Sequence, residues 1–495
     1  MLTRRELLER GARAGAAALV LPSACAWPPN EEADIWVNDI HSRLNRTRVH
    51  RVERPTGVEA LQAAVRRAHR EDRGISIVGG RHAMGGQQFG SDTILVDTNG
   101  MQGIYDFDAE KGEVELGAGT QWPRLISDLL ELQRGRETQW GIVQKQTGAD
   151  RLSLGGALAA NAHGRGLTYK PIVQDVEAFT LIDAKGEIRR CSRGENAELF
   201  RLAIGGYGLF GVIATVRLRL APRRMIERVV EVTDVAGIAN RFADRIAQGY
   251  LFGDFQYSTD LGSETLLRKG VFSCYRPVKP DAGMPEEQRV LSREDWLDLL
   301  ELSHMNRDEA FSRYSSYYLE TNGQIYWSDT HQLSTYIDDY HQKLEGRIGA
   351  LAGGTEMISE VYVPRDALED FLEDVRADFV ANDVNLIYGT IRLIERDDET
   401  FLAWAREPWA CVIFNLHTAH DPDSLRTTAR HFRRLIDRGR SYDGSYFLTY
   451  HRWATREQVL ACYPQFPEFL ALKSKYDPQE RFQSDWYRHY RAMFV

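Results

Sequence analysis

Cysteine is scarce in this chain: Cys25, Cys191, Cys274, Cys411 and Cys462 are scattered over 495 residues with no Cys-x-x-Cys pair. No Cys/His spacing suits a structural zinc, so no metal site is expected from the sequence. The body of the chain also lacks an apolar run of the roughly 20 residues a membrane-spanning helix needs, which argues against an integral membrane segment. Basic charge is not in surplus, with 62 Lys and Arg against 71 Asp and Glu and a net charge of −9. A nucleic-acid partner is therefore not expected, because binding a phosphate backbone requires concentrated positive charge. The short clusters Arg223-Arg224 and Arg433-Arg434 read as solvated surface. Repeats and low-complexity tracts are absent. What is there is the composition of an ordinary globular protein, 43% hydrophobic and 10% aromatic. A chain of this length outgrows a single core, which predicts two packed domains.

Residues 1–26 read as an export signal. Thr3-Arg4-Arg5-Glu6-Leu7-Leu8 places two arginines behind a hydroxyl residue and ahead of leucines, and Ala14–Leu21 is a short, weakly apolar run. Ala24-Cys25-Ala26 supplies a small-x-small cleavage site, so the mature chain is expected to begin near Trp27 in the periplasm or outside the cell. The competing reading is an amphipathic surface helix that happens to carry two arginines. The twin-arginine route moves folded proteins, which suits one that acquires a cofactor before export. The four remaining cysteines could pair there, and the sequence leaves that open.

From Arg54 onward the pattern is α/β. Thr56 is placed to cap a helix whose Val58, Leu61, Val65 and Ala68 recur at helical spacing, and Gly74 ends it before the strand Ile75–Val78. Strands follow at Thr93–Asp97 and Val114–Ala118, a helix from Gln121, strands over Val176–Asp183 and through Ile188, a helix over Ala197–Ile204, and a strand from Val212 to Leu220. Past Pro222-Arg223-Arg224 glycine thins out and aromatics thicken. Strands at Met357–Val363, Asn385–Ile394 and Cys411–His417 alternate with helices at Ala367–Val380 and Ser424–Arg438, which reads as a second, α+β domain.

The chemistry-bearing signal is a set of glycine-rich segments in the first region. Backbone approaches a pyrophosphate closely only where side chains are absent, and successive N–H groups in such a loop form an anion-binding nest. Gly79-Gly80-Arg81-His82-Ala83-Met84-Gly85-Gly86-Gln87 leaves the strand Ile75–Val78 and fits that need. It is not the Gly-x-Gly-x-x-Gly fingerprint of nicotinamide-binding folds. Two more glycine-rich stretches, Ser153–Gly164 and Gly205–Gly211, lie in the same region, so several close backbone approaches to one extended ligand are implied.

These segments, with Phe469–Pro478 and Phe482-Gln483-Ser484-Asp485-Trp486 in the tail, resemble the FAD-linked vanillyl-alcohol oxidase and p-cresol methylhydroxylase family. The resemblance implies an α+β fold: a two-part FAD-binding domain of the p-cresol methylhydroxylase (PCMH) type with an inserted α+β substrate domain. The boundaries expected are 27–224 for the FAD-binding domain, 225–450 for the substrate domain and 451–495 for a segment returning to the first. It further implies FAD held by Gly79, Gly80, Arg81, His82, Ala83, Met84, Gly85 and Gln87 of the first loop, by Ser153, Gly155, Gly156, Asn161 and His163 of the second, and by Ile213. In many members the histidine at the His82 position bonds covalently to the flavin. Gly80–Gln87 looks particularly like cytokinin dehydrogenases, except that Ala83 stands where a serine follows the histidine there.

Flavin oxidation takes a hydride from a donor carbon while a base takes the proton from the attached oxygen or nitrogen. The second domain must supply those polar groups. Alternate strand residues share a face, so Thr390 with Arg392 and Asn415 with His417 are expected to act together. In sugar-alcohol oxidases of the family a comparable strand bears Glu-x-Arg and a later segment a lysine; here Thr390 replaces the acid and Tyr450-His451-Arg452 stands near the lysine position. Arg392 is expected to orient the donor and Tyr450 or His451 to serve as base, with His417 a further candidate; the competing readings are a structural ion pair for Arg392 and a core position for His417. The leading expectation is oxidation of a CH–OH group of a sugar, lactone or alcohol, with O2, a quinone or a cytochrome accepting the electrons. The alternatives are a cytokinin-like CH–NH dehydrogenase and an exported flavin-binding protein without turnover.

Overall fold

The computed structural model describes residues 35–279, 283–335, 337, 340–349 and 353–495; the predicted leader and Cys25 lie outside them. Strands Arg51–Glu53, Ile75–Val78 and Ile94–Asp97 pair in parallel, with Ile94–Asp97 in the middle. The crossover between the first two is the helix Val58–Arg70, whose Leu61, Ala64, Val65 and Ala68 form its buried stripe. Thr56 is not its cap. Gly57 holds that position without a side-chain hydrogen bond, so the apolar stripe rather than a cap sets where this helix lies.

Next in the chain, and among the described residues, a six-stranded antiparallel sheet runs in the order Ile188–Ser192, Val176–Ile182, Val212–Pro222, Glu113–Gly117 and Ile104–Asp108, with Trp140–Ile142 pairing the outer end of Val212–Pro222. The segment predicted only as glycine-rich folds as the short helix Leu154–Ala160. Ser153 caps it by accepting from the Gly156 N–H, and Asn161 closes it in the left-handed conformation.

Two residues after Pro222 the chain enters an eight-stranded antiparallel sheet. Its order is Ile325–Trp327, Met225–Asp234, Lys269–Pro277, Phe252–Tyr257, Leu386–Ile394, Trp409–Ala419, Gly354–Pro364 and Ser445–Tyr446. Strict alternation assigns its two faces. Met357, Val361 and Val363, with Val412 and Phe414, pack under the helices Leu368–Ala381 and Pro422–Ser441 against Phe371, Val375, Phe379, Phe432 and Leu435. The opposite face, with Ile358, Tyr362, Cys411 and Ile413, shares one hydrophobic core with Val114, Leu158, Phe179 and Val216 of the first region. Residues before and after Pro222 thus share one apolar layer.

The tail closes back on the first region. Phe482 is fully buried beside Ile75, whose N–H donates to the Arg481 carbonyl at 2.5 Å and whose carbonyl accepts from the Gln483 N–H at 2.8 Å. Buried Asp477 holds this turn, pairing with Lys473 and accepting from the Arg481 and Phe482 N–H groups. Cys191, Cys274, Cys411 and Cys462 are all buried and free, so no disulfide forms among the described cysteines. No described helix is long and apolar enough to cross a membrane.

Candidate functional site

The glycine loop after Ile75–Val78 is built for close approach. A Cβ on Gly79 would lie 2.0 Å from Ser153 Oγ, and one on Gly80 would lie 2.2 Å from the Arg151 carbonyl oxygen, so only glycine lets this loop and the start of the helix Leu154–Ala160 come together. Arg81 then turns the chain at a φ of +58°. Met84 and Gln87 anchor the loop further along. The Met84 carbonyl accepts from Asn45 Nδ2 at 2.6 Å, and Gln87 Nε2 donates to the Thr449 carbonyl at 2.6 Å, next to Tyr450.

A cavity of about 370 Å³ runs between this loop and the eight-stranded sheet. Of the residues expected on the cofactor, Gly79, Gly80, Arg81, His82, Ala83, Met84, Gln87, Ser153, Gly155, Gly156 and Ile213 line it. Three do not. Gly85 is packed so that a Cβ would meet the Gln87 amide and the Thr449 carbonyl. Asn161 is turned into the protein, donating to Asp397 at 2.8 Å and accepting from the Val173 N–H at 3.3 Å. His163 stands behind the wall, with Nδ1 3.1 Å from the Gly164 carbonyl and Nε2 2.8 Å from Glu360.

His82 is held by His41, Nε2 to Nδ1 at 2.7 Å, while its own Nε2 is buried in no well-formed hydrogen bond. Burial first, and then the neighbouring His41, push the His82 imidazole well below its ordinary value, so it is neutral at physiological pH. Gln87 Oε1 and Gln88 Oε1 are likewise buried and unpaired in this part of the cavity. Unpaired buried polar atoms cost about 1–3 kcal/mol each, and here they surround an open volume, which fits a polar ligand lying against the glycine loop.

The sheet supplies the other wall. Tyr388, Arg392, Ile413, Asn415, Ile358 and Glu360 line the same cavity, with Phe447, Thr449 and Tyr450 from the segment after the last strand. Arg392 Nε and Nη1 and Asn415 Oδ1 are buried and unpaired. Thr390, between Tyr388 and Arg392, does not reach the cavity; its hydroxyl donates to the Phe255 carbonyl at 3.2 Å. Glu360 is the centre of this wall. Its Oε1 accepts from the Tyr450 hydroxyl at 2.6 Å, and its Oε2 accepts from His163 and, at 2.9 Å, from Tyr362. Burial alone would raise its pKa, but the charge and hydrogen bond of His163, the Tyr450 hydroxyl and Arg392 outweigh it and hold the carboxyl down at about 2. Tyr450 moves the other way, pushed well above its ordinary value by burial and then by the Glu360 charge.

Two residues expected in the chemistry lie elsewhere. His451 is stacked on Phe432 and Trp453, at centroid distances of 4.8 and 5.3 Å, and touches Ser359, which points to the helix-covered face of the sheet. Burial, then the Arg433 charge, take it down to about 3. It is a core histidine and does not line the cavity. His417 shares a face with Asn415 but sits one alternation further out, against Glu356. Conversely, His41 lies in irregular chain and carries no local pattern that would single it out. Glu360 was detectable in principle as a charged residue inside an otherwise apolar strand, Met357-Ile358-Ser359-Glu360-Val361-Tyr362-Val363.

Glycine loop, neutral histidine and a largely apolar cavity edged by a few unpaired polar atoms fit a nucleotide cofactor such as a flavin. Residues 49–192 match the family model described as FAD binding domain. Three relatives are similar over parts of the chain. L-gulonolactone oxidase of Bos taurus is 29% identical over 170 residues, 34% of this chain and 37% of the relative. Cytokinin dehydrogenase 3 of Oryza sativa subsp. japonica is 30% identical over 160 residues, 30% of this chain and 29% of the relative. L-gulono-1,4-lactone dehydrogenase of Mycobacterium tuberculosis (strain ATCC 25618 / H37Rv) is 24% identical over 220 residues, 44% of this chain and 49% of the relative. The matches span less than half the length of these relatives. Residues 49–192 thus carry an FAD-binding domain, and FAD is the cofactor.

Proposed function

We propose that the protein is an FAD-dependent oxidoreductase that oxidises a CH–OH group of a small polar donor, a sugar, a lactone or an alcohol. One observation carries this reading: a single cavity joins the glycine loop bearing His82 to the polar wall of Arg392, Glu360 and Tyr450. Bound there, FAD supplies the two-electron acceptor for the donor's C–H bond. Arg392 presents unpaired guanidinium nitrogens to the donor oxygen. Tyr450 takes the proton of the donor O–H as it passes its own to Glu360 Oε1, 2.6 Å away. Hydrogen bonds from His163 and Tyr362 to Oε2 keep that carboxylate oriented.

A neutral, oriented His82 with an unpaired nitrogen supports a covalent bond to the flavin. The arginine pair of residues 4–5 supports export in the folded state. Electrons from the reduced flavin would then reach O2, a quinone or a cytochrome outside the cytoplasm. A CH–NH dehydrogenase is the second reading, favoured by the similarity to cytokinin dehydrogenase 3. An anaerobic donor panel separates them, with flavin absorbance as the readout. Rapid bleaching by hydroxyl donors such as lactones or polyols is expected. Bleaching by secondary amines alone would replace the proposal with the second reading, and bleaching by neither would leave a flavin-binding protein without turnover.

A further inference from the structure

The cavity-facing side of the eight-stranded sheet carries a second polar cluster that the reaction does not use. Glu356 precedes Glu360 by four residues on Gly354–Pro364 and faces the same side, and His417 stands opposite it in register on Trp409–Ala419. The last turn of the helix Arg293–Met305 brings in His304, and the helix Tyr340–Ile348 brings in His341. His304 Nε2 lies 3.3 Å and His417 Nδ1 3.2 Å from the same carboxylate oxygen, Glu356 Oε1, and the three ligand atoms all lie within 4.8 Å of one another. The other oxygen, Oε2, accepts from the Tyr340 hydroxyl at 2.8 Å and has His341 Nδ1 at 3.6 Å.

Hydrogen bonding does not exhaust this cluster. The His304 side chain is 6% exposed, and its Nε2, aimed at Glu356, forms no well-aligned hydrogen bond; His341 Nε2 is buried and unpaired too. Two imidazoles converging on one carboxylate oxygen is an inefficient way to satisfy polar groups, but it is the arrangement a cation between them requires. Tetrahedral ligands about 2.0–2.1 Å from zinc lie about 3.2–3.5 Å from each other, the range in which His304 and His417 approach Glu356.

We propose that His304, Glu356 and His417 bind a divalent transition metal, with zinc the best fit to two imidazoles and one carboxylate. Three protein ligands leave a fourth position for water or another oxygen ligand. The metal ties the helix Arg293–Met305 to the sheet two residues from Asn415, about 7 Å along the strand from the cavity wall. The ligands come from three separate elements, which is why no Cys/His spacing announced the site.

The test uses the full-length, FAD-loaded protein, stripped with chelator and then incubated with ZnCl2 and gel-filtered. About one zinc per chain and a higher Tm with zinc are expected. His304→Gln and His417→Gln should each weaken zinc binding by about tenfold or more at unchanged FAD content, whereas His69→Gln, on the exposed side of its helix, should not. Should either variant fold poorly, Glu356→Gln removes the charge while keeping the side chain's shape and is expected to lose zinc in the same way. Failure of the stripped protein to take up zinc overturns the proposal, as does full zinc occupancy in the His304→Gln/His417→Gln double variant.

Discussion

The two walls of the cavity are made differently. The cofactor wall is largely backbone: residues 79–84 and the short stretch Ser153, Gly155 and Gly156 lie close together, and glycine is what lets them approach. The donor wall is side chain, with Glu360, Arg392, Asn415 and Tyr450 drawn from four separate segments and aligned by antiparallel register. A site made from backbone is written in consecutive residues. A site made by register is written in positions up to 90 residues apart, as Glu360 and Tyr450 are.

The sharpest way to break this contrast is Glu360→Gln. It keeps the shape of the donor wall but removes the proton acceptor, so turnover should fall by about 10²–10⁴-fold while FAD content is retained. An equal loss of FAD would mean that the walls are not separable. The same variant carries a pH signature. Because the Glu360 pKa is lowered in the folded state, from 4.5 to about 2, its stabilising contribution is complete above about pH 4.5 and is lost as pH falls towards 2. Glu356 is also held below the ordinary carboxylate range, by the imidazoles of His304 and His417 and the Tyr340 hydroxyl around it prevailing over burial, so the Gln variant should flatten the acid fall in Tm only in part.

Arg392→Lys ranks next. Lysine keeps the charge but not the planar fork, and loss of a hydrogen bond to a charged group, about 1.5–3 kcal/mol, should appear mainly in kcat/KM. On the cofactor wall, Gly79→Ala should cost about 1–3 kcal/mol of stability through its clash with Ser153 and lower the FAD content, measured by the flavin-to-protein absorbance ratio and by thermal melts. The smallest effect is expected from His451→Phe. Its ring stacks on Phe432 and makes two polar contacts, Nε2 to Ser359 at 3.3 Å and Nδ1 accepting from the Trp453 N–H at 3.4 Å, so stability should change by about 1–2 kcal/mol and turnover by no more than a few-fold. A large loss of turnover would return His451 to the chemistry.

Legibility in the sequence followed the same division. Helical spacing of Leu61, Val65 and Ala68 located the helix Val58–Arg70, and glycine clusters located the cofactor wall, because both depend on local pattern. His82 was readable from its place in the loop, whereas its partner His41 lies 41 residues away and left no local trace. Arg392 and Asn415 were found from strand alternation, but alternation does not say how far the cavity extends along a strand, and so His417 was included. His451 and Tyr450 are adjacent, and only the fold decides that one enters an aromatic stack while the other reaches Glu360. The acid of this wall, Glu360, comes from the next strand but one, both Glu360 and Thr390 being in register with Ile413, a placement visible only once the strands are paired.

The central claim is that this cavity holds FAD with His82 against the flavin, and the most direct measurement is acid precipitation of the purified protein followed by mass analysis of its peptides. A yellow pellet and a peptide spanning His82 that carries the mass of FAD are expected. A colourless protein that takes up no FAD on incubation would contradict it.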